Sequence, residues 1–315
     1  MVRQAPGNRQ AKRPLLTPDF FFDRYDPQQI STKNGKLVIE FKEQLNHDLA
    51  YMGGMLTTWN KFCFTGGYIE AKVQLPGTST TSGFWPAVWT MGNLGRAGYG
   101  ASTDGMWPYS YEKCDRGTLK NQTLNGVPDV EGQLLGDSAY DFKLSFLPGQ
   151  RLSACTCPGE LHPGPVNPDG TFRARSAPEI DIFEAQTDAT LASAAVSQSC
   201  QFAPYNAYYS WDNATFLQLH QAEGTQMLNG FKGNVYQQAA SVVSRTNQLC
   251  YEGSAAPCHA VYGFQYKPGY EADNAYITWI NDDKLSWSIH AGGVGADPVA
   301  GISERVIPQE PMVRL

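Results

Sequence analysis

The 315 residues contain no Gly-x-x-x-x-Gly-Lys-Ser/Thr phosphate loop, no Gly-x-Ser-x-Gly elbow and no Cys/His set at zinc-ligand spacing. Nucleotide, serine-hydrolase and metalloenzyme chemistry are thereby left without a motif. Charge is scarce: Asp, Glu, Lys and Arg make up 17% of the chain, with 24 basic residues against 30 acidic ones and a net charge of −6. A polyanion partner needs a basic stripe, which this balance does not supply, so nucleic acid is excluded as a ligand. No apolar run approaches the roughly 18–20 residues of a membrane span, and the N-terminus has no apolar core of the signal-peptide kind.

Glycine, proline and aromatic residues are plentiful. With 31 Gly, 20 Pro, 12% aromatics and 42% hydrophobic residues, the composition predicts a turn-rich all-β protein with aromatic recognition surfaces. Its length is read as one large domain. Seven cysteines, Cys63, Cys114, Cys155, Cys157, Cys200, Cys250 and Cys258, point to oxidised pairs formed in a secretory compartment. Cys155 and Cys157 are too close for easy mutual bridging, and the odd total leaves at least one thiol unpaired within the chain. Asn121-Gln122-Thr123 and Asn213-Ala214-Thr215 are N-glycosylation sequons that fit the same compartment.

Residues 1–19 are basic, contain proline and lack periodicity, which predicts a disordered arm. After the Asn34-Gly35 turn, Leu37, Ile39 and Phe41 alternate with polar neighbours in a strand expected to turn one face to the core. Ile69, Ala71, Val73 and Leu75 do the same. Gly83 to Thr90 reads as a short aromatic strand, followed by a Gly-rich loop and the aromatic run Met106 to Tyr111. Indole and phenol rings stack on the C–H faces of sugars, so Trp85, Trp89, Trp107 and Tyr109 are candidate substrate-binding residues. Core packing is the competing reading for Trp85 and Trp89. The Pro/Gly-rich segment 158–177 predicts a long loop that walls a cleft, and His162 within it reads as a surface residue. A helix is possible near 215–223. Residues 276–289 read as a hairpin that turns at Asn281-Asp282-Asp283-Lys284.

The stretch that draws chemistry is Ser176 to Ala185, in which Glu179, Asp181 and Glu184 interrupt an apolar run of Ile180, Ile182 and Phe183. Alternate residues of a strand share a face, so Glu179 and Asp181 point together while Glu184, five residues on from Glu179, points away. A bulge at Ile182-Phe183 would return Glu184 to the face of the other two. Two glutamates so placed suit glycoside hydrolysis, one attacking the anomeric carbon and the other protonating the leaving oxygen. Asp181 between them would orient Glu179 and oppose a further negative charge. In a chain with 30 acidic residues, roughly 0.3 such trios arise by chance. The weight therefore rests on context: an acid facing inward in a buried strand costs several kcal/mol unless it has a task or a partner. A solvated outer strand face is the alternative.

Glu179-Ile180-Asp181-Ile182-Phe183-Glu184, together with Gly83-Phe84-Trp85-Pro86-Ala87-Val88-Trp89, resembles glycoside hydrolase family 16. More narrowly, four blocks resemble the fungal β-1,6-glucan synthesis-associated proteins of that family. They are WNKFCFTGGYIEAKVQLPG at Trp59 to Gly77, MGNLGRAGYGASTDGMWPYSYEKCD at Met91 to Asp115, LPGQRLSACTCPGE at Leu147 to Glu160 and RVIPQEPM at Arg305 to Met312. The resemblance covers roughly residues 22 to 312. It implies a two-sheet antiparallel β-sandwich, a concanavalin-like jelly roll with long loops, whose concave face holds a β-glucan, β-1,3 or β-1,6 linked. It also implies Glu179 as nucleophile, Asp181 as helper and Glu184 as general acid/base in a retaining reaction, hydrolytic or transglycosylating, with no cofactor and no metal among the site residues, while a structural calcium ion, found in some relatives, stays open. Such proteins serve the secretory pathway and fungal cell-wall assembly from a membrane anchor that this chain lacks. Against that pattern both ends look cut, which predicts that the domain, residues 20–315, lacks its first and last strands and gains stability when they are restored. Two further functions compete: a lectin-like β-glucan binder with vestigial acids, and a scaffold for wall synthesis that needs the fold but not the carboxylates.

Overall fold

The computed structural model describes residues 23–47, 49–93, 123–124, 127–128, 166–171, 177–188, 191, 193–202, 210–231, 233–234, 237–298 and 303–315, with the backbone alone at 23, 123–124, 127–128, 233–234 and 237–238. Two antiparallel sheets dominate. Six strands form one: β7 (Ala87–Gly92), β10 (Glu179–Asp188), β11 (Ser193–Gln201), β13 (Gln226–Leu228), β16 (Ala240–Arg245) and β20 (Met312–Arg314), in the order β13-β16-β11-β10-β7-β20. The second has five, β6 (Gly67–Val73), β12 (Leu217–Leu219), β17 (Ala260–Lys267), β18 (Tyr276–Asn281) and β19 (Lys284–His290), in the order β12-β19-β18-β17-β6. A smaller sheet joins β1 (Asp23–Tyr25), β4 (Lys42–Asn46) and β5 (Leu49–Gly53), and three two-stranded pairs complete the described strands. These pairs are β2 (Ile30–Lys33) with β3 (Lys36–Ile39), β8 (Thr123–Leu124) with β9 (Val127–Pro128), and β14 (Gly233–Asn234) with β15 (Gln237–Gln238). This is the all-β class that the composition predicted and the two-sheet antiparallel sandwich that the resemblance implied.

The core lies between the two large sheets because each strand turns alternate residues inward. From β17 come Ala260, Tyr262, Phe264 and Tyr266, from β18 Ile277 and Trp279, from β19 Trp287 and Ile289, and from β10 Ile180, Ile182, Phe183 and Ala185. At the centre, Trp279 stacks on Trp287 with ring centroids 4.1 Å apart and planes 3° from parallel. Such a pair contributes about 0.5–1.5 kcal/mol beyond the area it buries. The hairpin read at 276–289 is present, and its turn places both Asp282 (φ 55°) and Asp283 (φ 60°) in the left-handed region, as a two-residue hairpin turn demands.

Two expectations are corrected. Leu217–Leu219 pairs with β19 instead of opening a helix near 215–223. The alternation at Leu37, Ile39 and Phe41 does not mark a core face: β2 and β3 pair only with each other, and these side chains are 46–50% exposed. Local periodicity reports a strand, but only a second layer makes one of its faces interior. Ile69, Ala71, Val73 and Leu75 do pack on the core as expected.

Candidate active site

β10 occupies the middle of the six-stranded sheet and enters it through a close crossing. A Cβ at Gly92 would lie 2.7 Å from Ala177 Cα and 2.8 Å from Pro178 Cδ, and the Gly92 amide donates to the Pro178 carbonyl at 2.8 Å. Glycine is thus required where the chain passes over the end of β7 to present Glu179. From there the register runs Glu179 opposite Gln201 and Asp181 opposite Ser199, then jumps to Glu184 opposite Ser197. Ile182 and Phe183 stand against the single residue Gln198. On the β7 side Asp181 faces Trp89 and Phe183 faces Val88, which skips Ile182. The bulge predicted at Ile182-Phe183 is there, and both residues belong to the core. Glu184, partly exposed, lies on the opposite side of the strand, the face of Glu179 and Asp181.

The two inner acids are deeply buried, Glu179 and Asp181 each at 1% exposure. Asp181 Oδ2 accepts from Ser199 Oγ at 2.5 Å and from Gln201 Nε2 at 2.9 Å. Glu179 Oε2 has no hydrogen-bond partner among the described residues. Burial, then the negative charges of Asp181 and Glu184, hold the Glu179 carboxyl well above the usual range. Burial first and Glu184 second push Asp181 up to about 7, against the Ser199 hydrogen bond that favours its ionised form. The trio thus keeps at least one proton where isolated carboxylates would have none. One acid is tied down, one has an oxygen to spare and one reaches solvent.

The bulge exposes carbonyls to the core, and donors from inside the sandwich take them. Trp279 Nε1 donates to the Asp181 carbonyl at 2.8 Å, and Gln198 Nε2 to the Ile182 carbonyl at 3.0 Å. The same Gln198 Nε2 donates to the Ile280 carbonyl at 2.9 Å, while Thr90 Oγ1 donates to the Ile180 carbonyl at 2.9 Å.

The aromatic candidates separate. Trp89 lies beside Asp181 on the acidic face but is 8% exposed, packed with Met91 and Val313 against Trp59 and Leu315. Trp85 is 41% exposed and precedes Pro86, whose carbonyl accepts from the Ala185 amide at 2.9 Å. Trp107 and Tyr109 lie outside the described residues. Sequence reasoning missed Ser199, Gln201, Gln198 and Trp279. The alternation of Ser197, Ser199 and Gln201 along a strand next to the acids was the available signal for two of them. Among the described residues no group of three or more His, Cys, Asp or Glu side chains is arranged to hold a metal ion. Cys250 and Cys258 form a disulfide, Cys63 is an exposed free thiol and Cys200 a buried one. Among the described residues no helix is long and apolar enough to cross a membrane.

The sequence model of the family described as "Beta-glucan synthesis-associated protein SKN1/KRE6/Sbg1" matches residues 17–315. The beta-glucan synthesis-associated protein KRE6 of Saccharomyces cerevisiae is 40% identical over 302 residues, which cover 94% of this chain and 38% of that protein. SKN1 of Candida albicans is 38% identical over 305 residues, 95% of this chain and 37% of that one. The chain therefore spans less than two fifths of the length of these curated relatives. Among solved structures, the laminarinase catalytic domain of Thermotoga maritima aligns with a TM-score of 0.44 and 15% identity, covering 93% of this chain and 70% of that one.

Proposed function

The chain belongs to the beta-glucan synthesis-associated SKN1/KRE6/Sbg1 family, and from that premise we propose that it is a β-glucan-active retaining glycosidase or transglycosylase of cell-wall assembly. The observation that carries this reading is the bulge at Ile182-Phe183, which gathers Glu179, Asp181 and Glu184 on one face. A bulged strand with two acids buried on its outer face costs stability that a purely architectural sheet would not retain.

In this reading the Glu179 carboxylate attacks the anomeric carbon through its unpartnered Oε2 as the glycosidic C–O bond breaks, and Glu184 gives its proton to the departing oxygen. A hydroxyl, from water or from another sugar, then loses its proton to Glu184 and attacks the same carbon, releasing Glu179. Asp181, held by Ser199 and Gln201, orients Glu179 and carries the proton that Glu179 must shed before it attacks. Trp85, and Trp107 and Tyr109 from the sequence, supply stacking faces for the glucan, and Trp89 underlies the acids. A secretory-pathway or cell-surface location follows from the same reading, as does a membrane tie through parts of a longer protein.

The second reading, a β-glucan binder or scaffold, is favoured by one feature: Glu179 is almost wholly buried, and burial raises its carboxyl well above the usual range, which disfavours the ionised form a nucleophile needs. Mass spectrometry of products from β-1,3- and β-1,6-gluco-oligosaccharides separates the two. New shorter or longer products that vanish in Glu179→Gln are expected. Unchanged oligosaccharides with wild type, bound but not converted, would establish the binder instead.

A further inference from the structure

The acidic bulge has a counterpart. In the five-stranded sheet Thr278 pairs with Ser288 and Ile280 with Leu285, so Ser286 and Trp287 stand against the single residue Trp279. The residue opposite each bulge faces the core and donates across the sandwich. Gln198, opposite the acidic bulge, donates to Ile280 next to Trp279; Trp279, opposite the second bulge, donates to the carbonyl of Asp181. Gln198 also takes the Ile182 carbonyl of its own bulge with the same nitrogen.

We propose that Gln198 and Trp279 are positioning residues, a reciprocal clamp between the two bulges that sets the direction of Glu184 relative to Glu179 and Asp181. The inference rests on the catalytic reading of these acids. Several observations converge on it. Gln198 is fully buried, yet its Oε1 has no hydrogen-bond partner among the described residues, an arrangement that destabilises the fold. An apolar side chain would fill the same space without that loss. What it would not do is satisfy two buried carbonyls, one from each sheet. Trp279 likewise fills the core with its ring, but only its N–H reaches Asp181. If β10 relaxed to an unbulged register, Glu184 would turn inward, since a one-residue slip exchanges the faces of every following side chain.

The test is Gln198→Met, which keeps volume and removes both donated hydrogen bonds, beside Trp279→Phe, which keeps a stacked ring and removes the N–H. Both are assayed well below their melting temperatures on gluco-oligosaccharides. The clamp predicts that kcat falls by about 100-fold in each, the scale of a 1 Å misplacement, with KM within about threefold because the substrate surface is untouched. A lowered melting temperature with unchanged kcat would overturn it, as would losses of kcat and KM together. Carbon-13 titration of the carboxyl groups reads the same geometry without turnover. In wild type the charge of Glu184 helps raise the Asp181 midpoint; in both variants that midpoint shifts down as Glu184 swings away, and an unmoved midpoint refutes the clamp. If wild type converts no oligosaccharide, the catalytic reading fails and the titration alone decides the clamp. If Gln198→Met does not fold, Trp279→Phe decides it by the same two readouts.

Discussion

The two bulges of this sandwich are built alike and aimed differently. Each places two consecutive residues into the core opposite a single partner, Ile182 and Phe183 against Gln198 in one sheet, Ser286 and Trp287 against Trp279 in the other. On the outer face the first is flanked by Asp181 and Glu184, the second by Ser288 and the half-exposed Leu285. A bulge is therefore a backbone device without chemistry of its own. What it does depends on which side chains the shifted register delivers to the open face, and only β10 delivers acids.

The comparison breaks most sharply at the outer flank. Glu184→Gln is expected to lower kcat by about 10²–10⁴-fold, the usual contribution of a general acid/base, whereas Leu285→Ala at the outer flank of the second bulge leaves kcat within about twofold. Comparable losses in a product-release assay would mean that the second bulge shares in the chemistry. Inside the core the two should behave alike. Phe183→Ala and Trp287→Ala each remove a fully buried aromatic and are expected to cost about 3–5 kcal/mol in denaturant unfolding; a much smaller value at one site would show that its bulge is loosely packed.

The acids also give the first bulge a pH dependence that the second lacks. Asp181 holds its proton up to about 7 in the fold and only to 3.8 in its ordinary state. The folded protein thus binds a proton that the unfolded chain has released. The stability tied to that proton is complete below about pH 4 and lost as pH rises through about 7, because stability falls with pH wherever the native state binds more protons. Glu179, raised in the same direction, adds to the loss. Glu179→Gln keeps a neutral donor towards Asp181 and should raise the melting temperature at pH 8 relative to wild type, by about 2–4 °C per kcal/mol relieved, with little difference at pH 4. A melting curve that responds identically to pH in both proteins would refute this account. The smallest expected effect lies away from both bulges. Cys250 and Cys258 are separated by 8 residues, so replacing both with alanine costs about 2–3 kcal/mol by loop closure, and kcat below the melting temperature is unchanged.

Much of the candidate site was legible because its logic is local. The spacing of Glu179, Asp181 and Glu184 conflicts with the two-residue period of a strand, and only a bulge within Ile182-Phe183 resolves the conflict. Ser199 and Gln201 were not found because a lone serine and glutamine in a β-prone run have many uses; their role appears once β11 is seen in register with β10. Trp85 and Trp89 carry the same aromatic signal in the sequence, and their exposures of 41% and 8% depend on neighbours as distant as Val313 and Leu315. Leu37, Ile39 and Phe41 had the alternation of a core strand and lacked the second sheet.

By itself the sequence determined the β class, the strand that bears the acids, the need for a bulge and its position, since side-chain alternation and turn chemistry follow from covalent geometry over a few residues. Tertiary structure alone decided which acid is tied and which has an oxygen to spare, which indole is buried, and which donors hold the bulge. Those donors lie 16 and 98 residues from the carbonyls they satisfy. A buried carbonyl must find a partner wherever packing brings one, and the packing of two sheets is a property of the whole chain.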